Sequence, residues 1–143
     1  MDRKVTPWIV GLAHKDWTMA SEAFGDIQPV FDQYKVDLLF CGHVHYYNRY
    51  APYDSVTKQV DTASVSADGY TYTNPRFTVV IVTGASGDIE GDDKYVKESP
   101  SITGTENYGY GIFTAVNASY ATWTFKTVKG SDNYADHLTI IKA

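Results

Sequence analysis

Cysteine is almost missing from this sequence. Cys41 stands alone, so no internal disulfide can form, and cysteine usage does not reveal the redox compartment. It closes the apolar run Leu38-Leu39-Phe40-Cys41, the setting of a buried, inert thiol. Long hydrophobic runs are missing too. Trp8-Ile9-Val10-Gly11-Leu12-Ala13 is too short for a signal-peptide core or a membrane span. The expectation is no membrane partner and no export signal within these residues, so a secreted parent would carry its signal upstream. Positive charge is scarce: 12 Lys and Arg against 17 Asp and Glu leave a net −5. That balance argues against a dedicated nucleic-acid binder or a polybasic membrane binder. Repeats and low-complexity segments are absent. What is present is 143 residues, enough for one domain or part of one. Apolar residues at 43% and charged residues at 20% fit a packed globule. Twelve tyrosines and eleven glycines favour a β-rich body with many turns.

The first third reads as α/β. Trp8 to Ala13 has strand length and ends at His14. Residues 14 to 26 are loop-like, with a short helix near Ser21. Ile27, Val30, Phe31 and Tyr34 stand at i, i+3, i+4, i+7 and predict a helix with one apolar stripe, Asp26 as N-cap, Pro29 in the first turn and an end near Lys35. Asp37 to Cys41 reads as a second buried strand, stopped by Gly42. Strand, helix and strand make one βαβ unit with a right-handed crossover. Residues 51 to 76 read as a loop with short hairpin strands. Phe77 to Val82 is a strand, 88 to 107 a polar loop, and Tyr110 to Val116, Ala121 to Val128 and His137 to Ile141 antiparallel strands. Turns fall at Asn117-Ala118-Ser119 and Gly130-Ser131-Asp132.

Three of the four histidines stand where a strand runs out. His14 follows the first, and His43 and His45 follow the second within Gly42-His43-Val44-His45. Ligand sites of parallel α/β sheets gather beyond the carboxyl ends of the strands. Extended backbone would point His43 and His45 to one side. Imidazole is the commonest ligand for borderline transition metals, and Gly42 would let the chain turn tightly beside them. Structural readings stay open: a lone histidine is usually a hydrogen-bonded core or surface residue, and the chain could be a non-catalytic β-rich binding module. A zinc amidohydrolase also uses His-x-His, but within a barrel of about 250 residues.

The segment from Asp2 to His14 resembles the strand entering the fourth metal motif of the purple acid phosphatases. Tyr34 to Arg49, with Gly42-His43-Val44-His45 inside it, resembles their last motif. Thr83-Gly84-Ala85-Ser86-Gly87-Asp88-Ile89-Glu90-Gly91, Tyr108-Gly109-Tyr110-Gly111, Asn117-Ala118-Ser119 and Asp136 to Ile140 resemble the segments that follow. This family of calcineurin-like metallophosphoesterases implies the second half of an αββα sandwich, with residues 1–50 as the metal-ligand βαβ segment and 51–143 as the β-rich closing segment. It implies acid phosphatase chemistry: a dinuclear site of iron plus a divalent metal (zinc, manganese or iron) hydrolyses phosphate monoesters through a metal-bound hydroxide. His14 and His43 would bind the divalent metal, His45 the ferric ion, and His43 would be essential to catalysis. The two ions would stand about 3.5–4 Å apart. Among nearby residues, Trp17, Tyr46 and Tyr47 could line the ester pocket, although tyrosines of this density more often pack sheets, and Asp16 and Asn48 could orient imidazoles. The implied parent is secreted, lysosomal or vacuolar, with glycosylation at Asn117, the one Asn-x-Ser/Thr sequon.

Departures from the family are as informative. Asp-x-Gly and Gly-Asn-His do not occur. Gly91-Asp92-Asp93-Lys94-Tyr95 fits Gly-Asp-x-x-Tyr as a string, but it follows the His-x-His and reads as coincidence. The metal site would therefore be incomplete in this chain, its partner being the missing amino-terminal half of the same domain. An uncovered half-sandwich would also self-associate into homo-oligomers. Gly11 replaces a usual Val, Phe24 a histidine of plant members, and Asn48 a usual Glu. His137 reads as structural.

Overall fold

The computed structural model describes residues 2–15, 27–87, 89–91, 93–128 and 134–143. Its first sheet is built on short apolar runs. β1 (Val10–Ala13), β2 (Leu38–Cys41) and β7 (Val79–Thr83) lie side by side in parallel, with Val10 opposite Leu38 and Leu38 opposite Val79. β7 is central, and Val79 to Val82 are buried on both faces, which is why the run is apolar without alternation. β3 (Tyr47–Tyr50) pairs antiparallel with β7 and with β8 (Ser101–Thr105), giving the order β1-β2-β7-β3-β8.

β4 (Tyr53–Asp54) and β5 (Gln59–Val60) form the hairpin expected within 51–76. The second sheet runs in the order β6 (Thr71–Thr73), β11 (Tyr134–Ile141), β10 (Tyr120–Thr127), β9 (Gly109–Ala115). Trp123 stands between Phe113 and Leu138 in register. β9, β10 and β11 match the predicted antiparallel strands within a few residues. The polar loop expected over 88–107 instead contains β8, which pairs with β3, a strand the apolar pattern did not reveal.

The two sheets close on one core. Leu38, Tyr47, Val79 and Ile81 of the first meet Tyr72, Trp123, Phe125, Leu138 and Ile140 of the second. The Tyr47 and Phe125 rings stack at 4.0 Å between centroids. Full burial of each such side chain contributes roughly 1.5–3 kcal/mol. Leu39, Cys41, Val80 and Val82 point to the other face of the first sheet, where Phe31 covers them.

Phe31 belongs to α1 (Gln28–Gln33), with Pro29 in its first turn as expected. Its N-cap is Ile27 and makes no side-chain cap bond; Asp26 and Ser21 lie outside the described residues. The predicted stripe is corrected in orientation. Val30 and Tyr34 are exposed, and the inward face carries Gln28 and Phe31. Gln28 steers the helix: its Nε2 donates to Tyr53 O (2.7 Å), and its Oε1 accepts from Ser55 N (2.8 Å) and the Ser55 hydroxyl. The described layers are thus one helix, then two sheets, an α/β fold of the expected metallophosphatase kind.

A buried ion pair ties the sheets together. Arg49 of β3 is wholly buried and grips Asp136 of β11 through Nε (2.6 Å) and Nη2 (2.8 Å). Its Nη1 donates to Gly69 O (2.8 Å) and Tyr72 Oη (2.7 Å), while Tyr47 donates its hydroxyl to Asp136.

Candidate metal site

Parallel pairing of β1 and β2 places the residues after their carboxyl ends side by side. His14 follows β1 directly, and its carbonyl accepts the Gly42 N–H at 3.0 Å. The chain then bends sharply. The tight conformation falls on His43, with φ +72°, and not on Gly42, so the expected extended His-x-His is corrected. Gly84, just after β7, allows this bend: a Cβ there would stand 1.9 Å from the Val44 carbonyl oxygen.

The result is an open depression of about 530 Å³ lined by His14, His43, Val44, His45, Glu90, Gly91 and Asp93. His14 Nε2 and His43 Nδ1 are 3.1 Å apart, and the rings meet edge-on at 4.9 Å between centroids. Partial desolvation, then Lys15 and His14, holds His43 below the ordinary imidazole value. His45 is anchored differently. Its N–H donates to Asp93 Oδ2 at 2.8 Å, and its Nδ1 lies 3.2 Å from the Gly91 carbonyl.

The donor set can be tested against a metal. Zinc–nitrogen bonds of about 2.0–2.1 Å put neighbouring ligand nitrogens about 3–3.4 Å apart. The His14–His43 spacing fits two ligands of one ion. It does not make a dinuclear centre: among the described residues no group of three or more His, Cys, Asp or Glu side chains could hold an ion.

Other expected site residues fall elsewhere. Trp17, Asp16 and Phe24 lie outside the described residues. Tyr46 packs edge-on against Tyr95 at 5.7 Å, beside the Leu39 cluster, and does not line the depression. Tyr47 is fully buried between the sheets. Asn48 is corrected as an imidazole-orienting group: its Oδ1 accepts the Ser101 hydroxyl at 2.7 Å, and Ser101 Oγ lies 2.8 Å from the Tyr95 hydroxyl. Asn117 is exposed in the β9–β10 turn, and its Oδ1 accepts the Ser119 N–H. Glu90, Gly91 and Asp93 were missed as site residues. Gly91 and Asp93 belong to the Gly-Asp-x-x-Tyr string, and Glu90 and Gly91 close the family-like segment from Thr83; both Gly91 and Asp93 contact His45.

A family model, the iron/zinc purple acid phosphatase-like protein C, matches residues 77–137. Purple acid phosphatase 18 of Arabidopsis thaliana is 30% identical over 136 residues, 87% of this chain and 28% of that protein. Acid phosphatase A of Cryphonectria parasitica is 31% identical over 133 residues, 88% of this chain and 23% of that protein. These matches support a carboxyl-terminal fragment similar to the purple acid phosphatases. A purple acid phosphatase from yellow lupin (Lupinus luteus) seeds shares the fold, with a TM-score of 0.77 at 24% identity, over 99% of this chain and 26% of that one. The chain thus spans about a quarter of the length of these purple acid phosphatases.

Proposed function

We propose that residues 1–143 are the carboxyl-terminal part of an acid phosphatase catalytic domain, with 1–50 bringing metal ligands and 51–143 closing the sandwich. His14 and His43 would hold the divalent metal (zinc, manganese or iron) and His45 the iron. The supporting observation is the pairing of His14 Nε2 and His43 Nδ1 at 3.1 Å, at the carboxyl ends of adjacent parallel strands. When bound, such a metal pair stabilises the charge on attacking and leaving oxygens and acidifies water. No step follows from the described residues alone, because their donors do not complete the pair. This chain's own contribution is to bind and orient. The sheet fixes His14 and His43 against each other, and Asp93 holds the His45 backbone. Trp17 is proposed as a substrate-binding residue. A secreted or vacuolar parent, glycosylated at the exposed Asn117, completes the reading.

A chimera tests it. This chain would replace the matching segment of Purple acid phosphatase 18, and nitrophenyl phosphate hydrolysis would be followed at acidic pH with metal content. The chimera is expected to turn over and His43→Ala to remove most of the rate, while residues 1–143 alone stay colourless, metal-poor and nearly inactive. Robust, His43-dependent hydrolysis by the chain alone would overturn the proposal. A folded but inert, metal-free chimera would favour the non-catalytic reading.

A further inference from the structure

We infer that Gly91 and Asp93 are positioning residues for His45, setting its tautomer before any ligand arrives. A carbonyl oxygen only accepts, so the 3.2 Å contact between His45 Nδ1 and Gly91 O requires the proton on Nδ1. The lone pair of neutral His45 then sits on Nε2. The His14–His43 contact joins two ring nitrogens and fixes neither tautomer by itself. The loop is fastened to His45 through Asp93, twice. Asp93 Oδ2 accepts the His45 N–H at 2.8 Å, and the Asp93 N–H donates to the His45 carbonyl at 3.3 Å. Only the first bond needs the side chain, so the carboxylate is the replaceable clasp. Orientation of a ligating imidazole by its other ring nitrogen is the general device of metal sites. Gly91 itself has φ +92° with nothing within 4 Å of a Cβ, so backbone conformation, not space, favours glycine there.

This inference rests on His45 being a ligand, but its test needs neither metal nor turnover, so the two readings fail separately. The probe is the full chain with ¹⁵N-labelled histidine, metal-free, at a pH where imidazoles are neutral. Long-range proton–nitrogen correlation assigns each tautomer. Wild-type His45 is expected as Nδ1–H. Asp93→Ala should reduce that form from dominant to minor, while Asp93→Asn, whose amide oxygen still accepts the His45 N–H, should retain it. The His14 and His43 signals should stay in place in both variants, reporting an intact fold. A wild-type His45 in the Nε2–H form would overturn the inference without recourse to any variant. An Asp93→Ala tautomer identical to wild type, or equal loss in Asp93→Asn, would overturn the role of Asp93.

Discussion

Arg49 shows how much one residue can commit to the fold. Burial opposes its charge, yet the hydrogen bonds to Asp136 outweigh that and raise its affinity for the proton. Truncating one member of such a pair leaves a buried charge alone. Arg49→Met is therefore expected to cost about 3–5 kcal/mol in urea melts. Adding Asp136→Leu should recover much of the loss, which separates an abandoned charge from lost packing. Tyr72 carries a pH consequence of the same network. Burial raises its phenol from 10.0 to about 12, although Arg49 pulls the other way. The neutral phenol is favoured in the folded state. Its stabilisation is thus complete below pH 10 and is lost as pH climbs through about 12. Roughly 2–3 kcal/mol should disappear over that window, read as a falling urea midpoint between pH 9 and 12. A midpoint that stays flat to pH 12 would refute the link.

At the scale of elements, one unusual residue explains the fit of strand and helix. A Cβ at Gly11 would lie 2.7 Å from Phe31 Cε2, so the α1 aromatic occupies the space a branched side chain would need. Gly11→Val is expected to force Phe31 out and cost about 1–3 kcal/mol; Gly11→Val with Phe31→Ala should be less damaging than the sum of the two, by thermal melts. β1, β2 and β7 were legible because each is an apolar run, and β9 to β11 because their residues alternate. β3 was not: Tyr47-Asn48-Arg49-Tyr50 is wholly buried, but its polar members are satisfied by Ser101 and Asp136, partners far along the chain. The same limit hid Asp93, whose role depends on a loop returning 48 residues later to His45. The histidines were legible because strand ends are.

At the scale of the whole molecule, the first sheet among the described residues ends on β1, an edge strand whose Leu12 is 81% exposed. Unpaired edges with apolar side chains associate. The chain alone is expected to dimerise through this edge, and Leu12→Lys to return it to a monomer by light scattering. A wild-type monomer over a wide concentration range would count against an uncovered edge.

The strand order also constrains assembly in time. β2 and β3 are close in sequence but do not pair, because β7 lies between them. A ribosome must extrude Val79 to Thr83 before β2 can gain its second neighbour or β3 its first. Until then Leu38 and Leu39 have no partner on that side. Such distant closure raises the contact order and slows folding, toward milliseconds to seconds. It also leaves the apolar run Leu38 to Cys41 open on one side, within reach of chaperones, until β7 has emerged.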